Sequence, residues 1–116
     1  MIIKIKNLRL KTIIGIYEFE QKILQDIIIN ASLHIKDESS LTSDNISDTI
    51  DYDNIVEDIK KIVSQNKFNL IEKLTHDVMK SILKNKKIHF CQLEVDKLKA
   101  RQDTDSFAIY LQNYNN

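Results

Sequence analysis

Residues 26–37, DIIINASLHIKD, alternate almost without a break. Ile27, Ile29, Ala31, Leu33 and Ile35 share one parity, while Ile28, Asn30, Ser32, His34 and Lys36 share the other. A period of two sustained over that length is a β-strand with one covered face and one open face. Coiled into a helix, the same apolar side chains would scatter around the whole circumference. The stretch therefore demands partner strands beside it and a second layer against its apolar side.

The rest of the chain supplies both. Met1–Lys11 alternates as well, with Ile3 and Ile5 on one parity and Leu8 and Leu10 on the other. The flip at Asn7–Leu8 predicts a bulge or a change of covered face. This strand pairs naturally with residues 26–37 as a hairpin. Between them, Thr12–Gln25 holds the chain's one glycine, Gly15, which predicts a positive φ or a close backbone approach. A third strand, Ile88–Lys97, carries Cys91, Leu93 and Val95 on one parity, and a fourth, Ser106–Gln112, carries Phe107, Ile109 and Leu111.

The middle of the chain is helical. After a polar connection, Glu38–Asp48, either Asp51 or Asp53 can cap a helix with Ile55, Val56, Ile59, Ile62 and Val63 as its stripe. Asn66–Asn69 turns the chain. Asn69-x-x-Glu72 has the spacing of a capping box for a second helix, which faces inward through Ile71, Leu74, Val78 and Ile82 and ends at Lys84–Lys87. Asn113–Asn116 reads as a polar tail. The order is ββααββ in one α+β domain over residues 1–116, with an antiparallel four-stranded sheet and two helices on one face. The edge strands contain no proline, so copies of the chain are expected to pair edges or stack.

Composition removes several functions. Seventeen basic and seventeen acidic side chains balance, so no global field draws in nucleic acid or a membrane. No basic face with aromatic platforms is present, and no apolar run nears the roughly 20 residues of a membrane span. A single cysteine, Cys91, fits a reducing compartment, and a soluble cytoplasmic protein is the expectation. His34, His76 and His89 sit on three elements without ligand spacing, so no metal is expected. Phosphate-binding loops and nucleophile elbows need more than one glycine.

What remains are acid–base groups. Lys97 ends the third strand on its apolar parity. It is either a solvated strand end or a partly desolvated amine with a lowered pKa. Lys99 and Arg101 share its parity if the chain stays extended, and like charges would lower that pKa further. Glu20 follows the glycine loop, and its plain reading is a surface carboxylate. Tyr52 stands at a helix entry, where aromatics often pack. Glu72 is either a structural capping residue or a carboxylate at the flank of the stripe, aimed into a crevice. Pattern alone ends at a ββααββ oligomer with scattered candidates.

Taken as a set, IKNLRLKTIIGIYEFE, QDIIIN, SDNISDTIDY, FNLIEKLTHDV and LEVDKLKARQDTDS resemble the dihydroneopterin aldolases and their relatives, the dihydroneopterin triphosphate 2′-epimerases. The resemblance implies the tunnelling fold, with subunits joined edge to edge into a tetrameric ring, rings stacked into an octamer, and active sites between subunits. It implies a pterin substrate and no cofactor. Carried over by position, Glu72 anchors the pterin through its 2-amino group and N3–H. Lys97 is the catalytic base, Glu20 an active-site glutamate, and Tyr52 a tyrosine contributed across the subunit interface. The main chain of Ile50, Asp51 and Ile71 lines the pterin pocket.

The implied chemistry is a retro-aldol cleavage that uses the dihydropterin's own imine as electron sink. Aldolases of this family commonly read Lys-Pro where this chain reads Lys97-Leu98, which points to the epimerase branch. A triphosphate would then meet Lys99, Arg101 or Lys22. A pterin-binding ring without catalysis is the alternative of another class.

Overall fold

The computed structural model describes residues 1–116. Strand β1 (Ile2–Ile14) runs antiparallel to β2 (Gln25–Ile35), β2 to β4 (Ile88–Leu98), and β4 to β5 (Ser106–Tyr114). Helices α2 (Tyr52–Gln65) and α3 (Ile71–Ile82) follow a four-residue turn of helix, α1 (Ser40–Ser43). The five residues that alternate along β2 on the apolar parity are all buried, and they form one cluster with Ile55, Ile59, Val63, Leu74, Val78 and Ile82 of the two helices. Each fully buried isoleucine or leucine stabilises the fold by about 1.5–3 kcal/mol. A one-residue slip of β2 would expose all of its set, which is what fixes the register.

The bulge forms where the parity flips. Ile5 pairs with Ala31 and Leu8 with Ile29, so Lys6 and Asn7 stand opposite Asn30 alone. Asn7 takes a φ of 54°, its amide donates to Asn30 Oδ1 at 2.8 Å, and Asn30 Nδ2 donates back to Asn7 Oδ1 at 3.3 Å. An asparagine tolerates this conformation better than any β-branched neighbour would.

Four features differ from the sequence reading. The four long antiparallel strands are joined by a fifth, β3 (Lys67–Phe68), which pairs in parallel with Ile13 and Ile14 to give the order β3-β1-β2-β4-β5. The segment expected only to turn is therefore an edge piece, because β1 runs on past Lys11 and offers free backbone groups there. The connection after β2 coils locally, as α1 and a 3-10 turn at Ile46–Asp48. The polar tail extends β5 to Tyr114, and the Asn115 side chain donates to the carbonyls of Leu83 and Ile88 at 2.9 Å. The capping box does not form. Leu70 holds the N-cap position of α3 without a side-chain cap, and Glu72 is its second helical residue. Asn69 instead accepts from Gln21 Nε2 at 3.5 Å. At the start of α2 the cap does form, with Asp51 accepting from the amides of Asp53 and Asn54.

Candidate active site

The site grows from the end of β1. Gly15 has a φ of 140°, in the region that only glycine enters freely. The chain turns there, and a 3-10 segment, Glu18–Lys22, brings the Glu20 carboxylate back over the glycine. A methyl group at position 15 would overlap that carboxylate. Both readings of Gly15 therefore hold at once. Gln21 Nε2 bonds the carbonyl of Phe68 at 3.1 Å, fastening the loop to β3.

Glu20 is only 6 % exposed. A carboxylate so placed needs partners. Lys97 Nζ donates to Glu20 Oε2 at 2.7 Å, Gln25 Nε2 donates to the same oxygen at 3.2 Å, and the Tyr17 amide donates to Oε1 at 3.3 Å. Burial alone would raise the Glu20 pKa. The hydrogen bonds from Lys97, Gln25 and Tyr17, with the Lys97 charge, outweigh it and hold the carboxyl below its ordinary 4.5. Lys97 reaches Glu20 because it pairs with Ile27 and keeps the parity of Leu93 and Val95, so its side chain leaves the strand on the core side.

The extended run that would align Lys99 and Arg101 with Lys97 does not form. The chain does not stay extended past Leu98; Lys99 turns it with a φ of 56°. Arg101 is gripped by Asp103, with Nε and Nη2 each 2.7 Å from a carboxylate oxygen. The close electrostatic neighbour of Lys97 is Glu20. The thiol of Cys91, buried within the core, is pushed up to about 12, which removes it as a nucleophile.

Lys97 and Glu20 form the floor of a cleft of about 480 Å3. Ile71 and Glu72 face it from the start of α3, and Tyr17, Phe19, Leu70 and Phe107 give it apolar walls. Freed of capping duty, the Glu72 carboxylate lies exposed at the positive end of its helix, available to donors on a ligand. Tyr17 and Phe19 stack with ring centres 5.9 Å apart. Flat apolar walls, one free carboxylate and a buried amine–carboxylate pair suit a planar heterocycle carrying a polar side chain.

Four of the seven residues singled out in the sequence, Glu20, Ile71, Glu72 and Lys97, line this one cleft. Ile50, Asp51 and Tyr52 do not. Ile50 is in the core, Asp51 caps α2, and Tyr52 projects from the first turn of α2. Gln25, Tyr17, Phe19 and Phe107 escape a reading of the sequence. Gln25 looks like the polar border of the β2 alternation, and only its nearness to Glu20 marks it out.

The fold is the tunnelling fold, four antiparallel strands and two helices in the order ββααββ with the short edge strand β3 added. Residues 3–112 match the family model described as FolB, dihydroneopterin aldolase, and the chain belongs to that family. It is 40 % identical over 110 residues to the dihydroneopterin triphosphate 2′-epimerase of Escherichia coli K12, covering 95 % of this chain and 92 % of that one. It is 24 % identical over 115 residues to the dihydroneopterin aldolase of the same organism, covering 99 % and 94 %. The solved structure of E. coli dihydroneopterin aldolase in complex with neopterin superposes with a TM-score of 0.92 at 22 % identity, covering 97 % of this chain and 98 % of that one. Within the family the chain is thus more similar to the epimerase than to the aldolase.

Proposed function

We propose that this protein epimerises C2′ of 7,8-dihydroneopterin triphosphate to the monapterin form, by metal-free retro-aldol and aldol steps on the pterin side chain. The observation that carries the chemistry is the meeting of Glu72 with the Lys97–Glu20 pair in one apolar-walled cleft. The greater identity to the epimerase carries the choice of branch.

Glu72 accepts from the pterin 2-amino group and N3–H, a two-point contact that fixes the plane and direction of the ring. That leaves the side chain directed at Lys97. Once Lys97 has released its proton to solvent, its amine takes the 2′-hydroxyl proton, and Glu20 at 2.7 Å stabilises the ammonium that forms. The C1′–C2′ bond breaks, its electron pair flows into the C6=N5 imine, and an enamine forms beside a two-carbon aldehyde that keeps any phosphates. Glu20 holds the side-chain hydroxyls and Lys97 in register. Rotation of the aldehyde and re-addition to C1′ through its other face inverts C2′, and the lysine returns the proton. Protonation of the enamine instead, with loss of the aldehyde, gives the aldolase outcome.

Tyr52 completes the site from a second copy. The order of the sheet supports this reading, since β5 has an unpaired outer edge and β3 covers only the end of β1. Edge-to-edge pairing into a tetrameric ring would cover both edges, and stacking of two rings would give an octamer. The mass of the 13.6 kDa chain in solution, measured by light scattering, tests this.

Purified protein incubated with dihydroneopterin triphosphate and, separately, with dihydroneopterin tests the activity. Monapterin-type product from the triphosphate is expected. Hydroxymethyl-dihydropterin with glycolaldehyde as the main product would assign the chain to aldolase chemistry. Pterin binding with no turnover of either would make it a binding ring.

A further inference from the structure

The loop after Lys97 borders a second, open hollow of about 460 Å3 with no hydrophobic residue in its lining. Lys99, Arg101, Gln102, Thr104 and Asp105 line it. Arg101 also lines the cleft that holds Lys97 and Glu20. Arg101 is common to both linings.

Arg101 is a surface side chain that pairs with Asp103 through two hydrogen bonds. Asp103 takes one hydrogen bond from Nε and one from Nη2, both at 2.7 Å. A guanidinium carries five N–H donors. Asp103 uses two, and three remain, both of those on Nη1 among them. Those three form a planar fork of the shape that receives two oxygens of one phosphate. Asp103 and Asp105 offset Lys99 and Arg101 in the loop, so the net field is weak. Recognition here rests on placed donors.

We propose that the Lys99–Asp105 loop is the subsite for the phosphate chain of the substrate, with Arg101, positioned by Asp103 and common to both linings, as the bidentate phosphate ligand. This rests on the pterin reading of the main cleft. With the ring held at Glu72 and the reacting carbons at Lys97, the C3′ end is directed toward the loop that follows Lys97, whose Ala100 and Arg101 line the cleft. Lys22, the other cation considered from the sequence, is engaged with Glu18 at 3.4 Å and lines neither space.

Inorganic tripolyphosphate, titrated calorimetrically into the purified protein at physiological salt, reads the subsite without any turnover. The intact protein is expected to bind it. Arg101→Gln should weaken binding at least tenfold, and Arg101→Lys should fall between, because an ammonium cannot fork. Asp103→Asn separates geometry from field. It is expected to weaken binding although it removes a negative charge, and a tightening would overturn the positioning role. Lys60→Gln, on the exposed side of α2, should bind as the intact protein does.

In turnover, Arg101→Gln should lower the kcat/KM ratio of triphosphate over free dihydroneopterin at least tenfold. Absence of tripolyphosphate binding, binding unchanged in Arg101→Gln, or equal losses on both pterins would each overturn the subsite. If the intact protein turns over neither pterin while Arg101-dependent tripolyphosphate binding persists, the catalytic reading falls and the anion site stands. If turnover is found and the ratio is unmoved, the reverse holds.

Discussion

Glu20 and Tyr52 are proposed to serve one reaction, yet the fold treats them in opposite ways. Glu20 is 6 % exposed and has three hydrogen-bond donors around it; Tyr52 is 55 % exposed at the first turn of α2. The difference follows from charge. A buried carboxylate must be satisfied by the chain that buries it, because an unpaired one costs several kcal/mol. A phenol is neutral and loses little by facing water. A single chain therefore builds its own ion pair completely, and it can leave the tyrosine for a neighbouring copy.

The largest effect should come from the satisfied side. Lys97→Ala is expected to lower turnover by at least about 10²-fold, the lower range for a lost general base, while pterin binding persists. Pterin fluorescence titration beside the activity assay checks this, and normal turnover would remove Lys97 as the base. Glu72→Gln should come next. It loses charge-assisted hydrogen bonds worth about 1.5–3 kcal/mol, so pterin should bind roughly ten- to a hundredfold more weakly. A loss of turnover with affinity unchanged would contradict the anchor role.

Tyr52 tests the other side of the contrast. Tyr52→Phe should reduce turnover with little change in thermal stability, since the hydroxyl has no partner within the chain that the fold relies on. Mixing unfolded Lys97→Ala and Tyr52→Phe chains and refolding them together should restore part of the activity. No recovery would place both residues in a site made by one chain.

Gly15→Ala should destabilise the fold by more than the roughly 1–3 kcal/mol of a residue forced into a sparsely allowed conformation, because its methyl also displaces the Glu20 carboxylate, and should lower Tm in a melting experiment. The smallest effect is one of pH. Glu20 is held below its ordinary 4.5, so the folded state prefers the ionised carboxylate. Its contribution to stability is fully present above that value and is lost as the pH falls through the lower folded-state value. The Tm gap between the native chain and Glu20→Gln should therefore narrow below about pH 4.5. A gap that widens on acidification would reverse the sign assigned here.

What could be read from the sequence was whatever repeats with a period or breaks one. The β2 alternation, the two helical stripes and the bulge at Asn7 are visible because burial acts on every second or every third to fourth side chain. Gly15 is visible because it is alone. The path after Leu98 is not. Lys99 and Arg101 keep the parity of Lys97 only in an extended chain, and nothing in KLKAR announces that Lys99 turns it. Nor does any local pattern show that β1 runs far enough to recruit Lys67–Phe68 as a strand. Glu72 is the instructive case. Its spacing from Asn69 fits a capping box, but Asn69 meets Gln21, a residue 48 positions away. Family resemblance, not periodicity, drew Glu20, Glu72 and Lys97 together. The structure then shows that the three share a cleft.

The overlap between Gly15 and the Glu20 carboxylate ties two positions into one unit of inheritance. A larger residue at position 15 is compatible only with a shorter side chain at position 20, and that exchange removes the partner of Lys97. Natural variants should therefore change these positions together or not at all. A lineage that gains a side chain at position 15 is expected to have abandoned the ion pair, and with it this route of proton transfer.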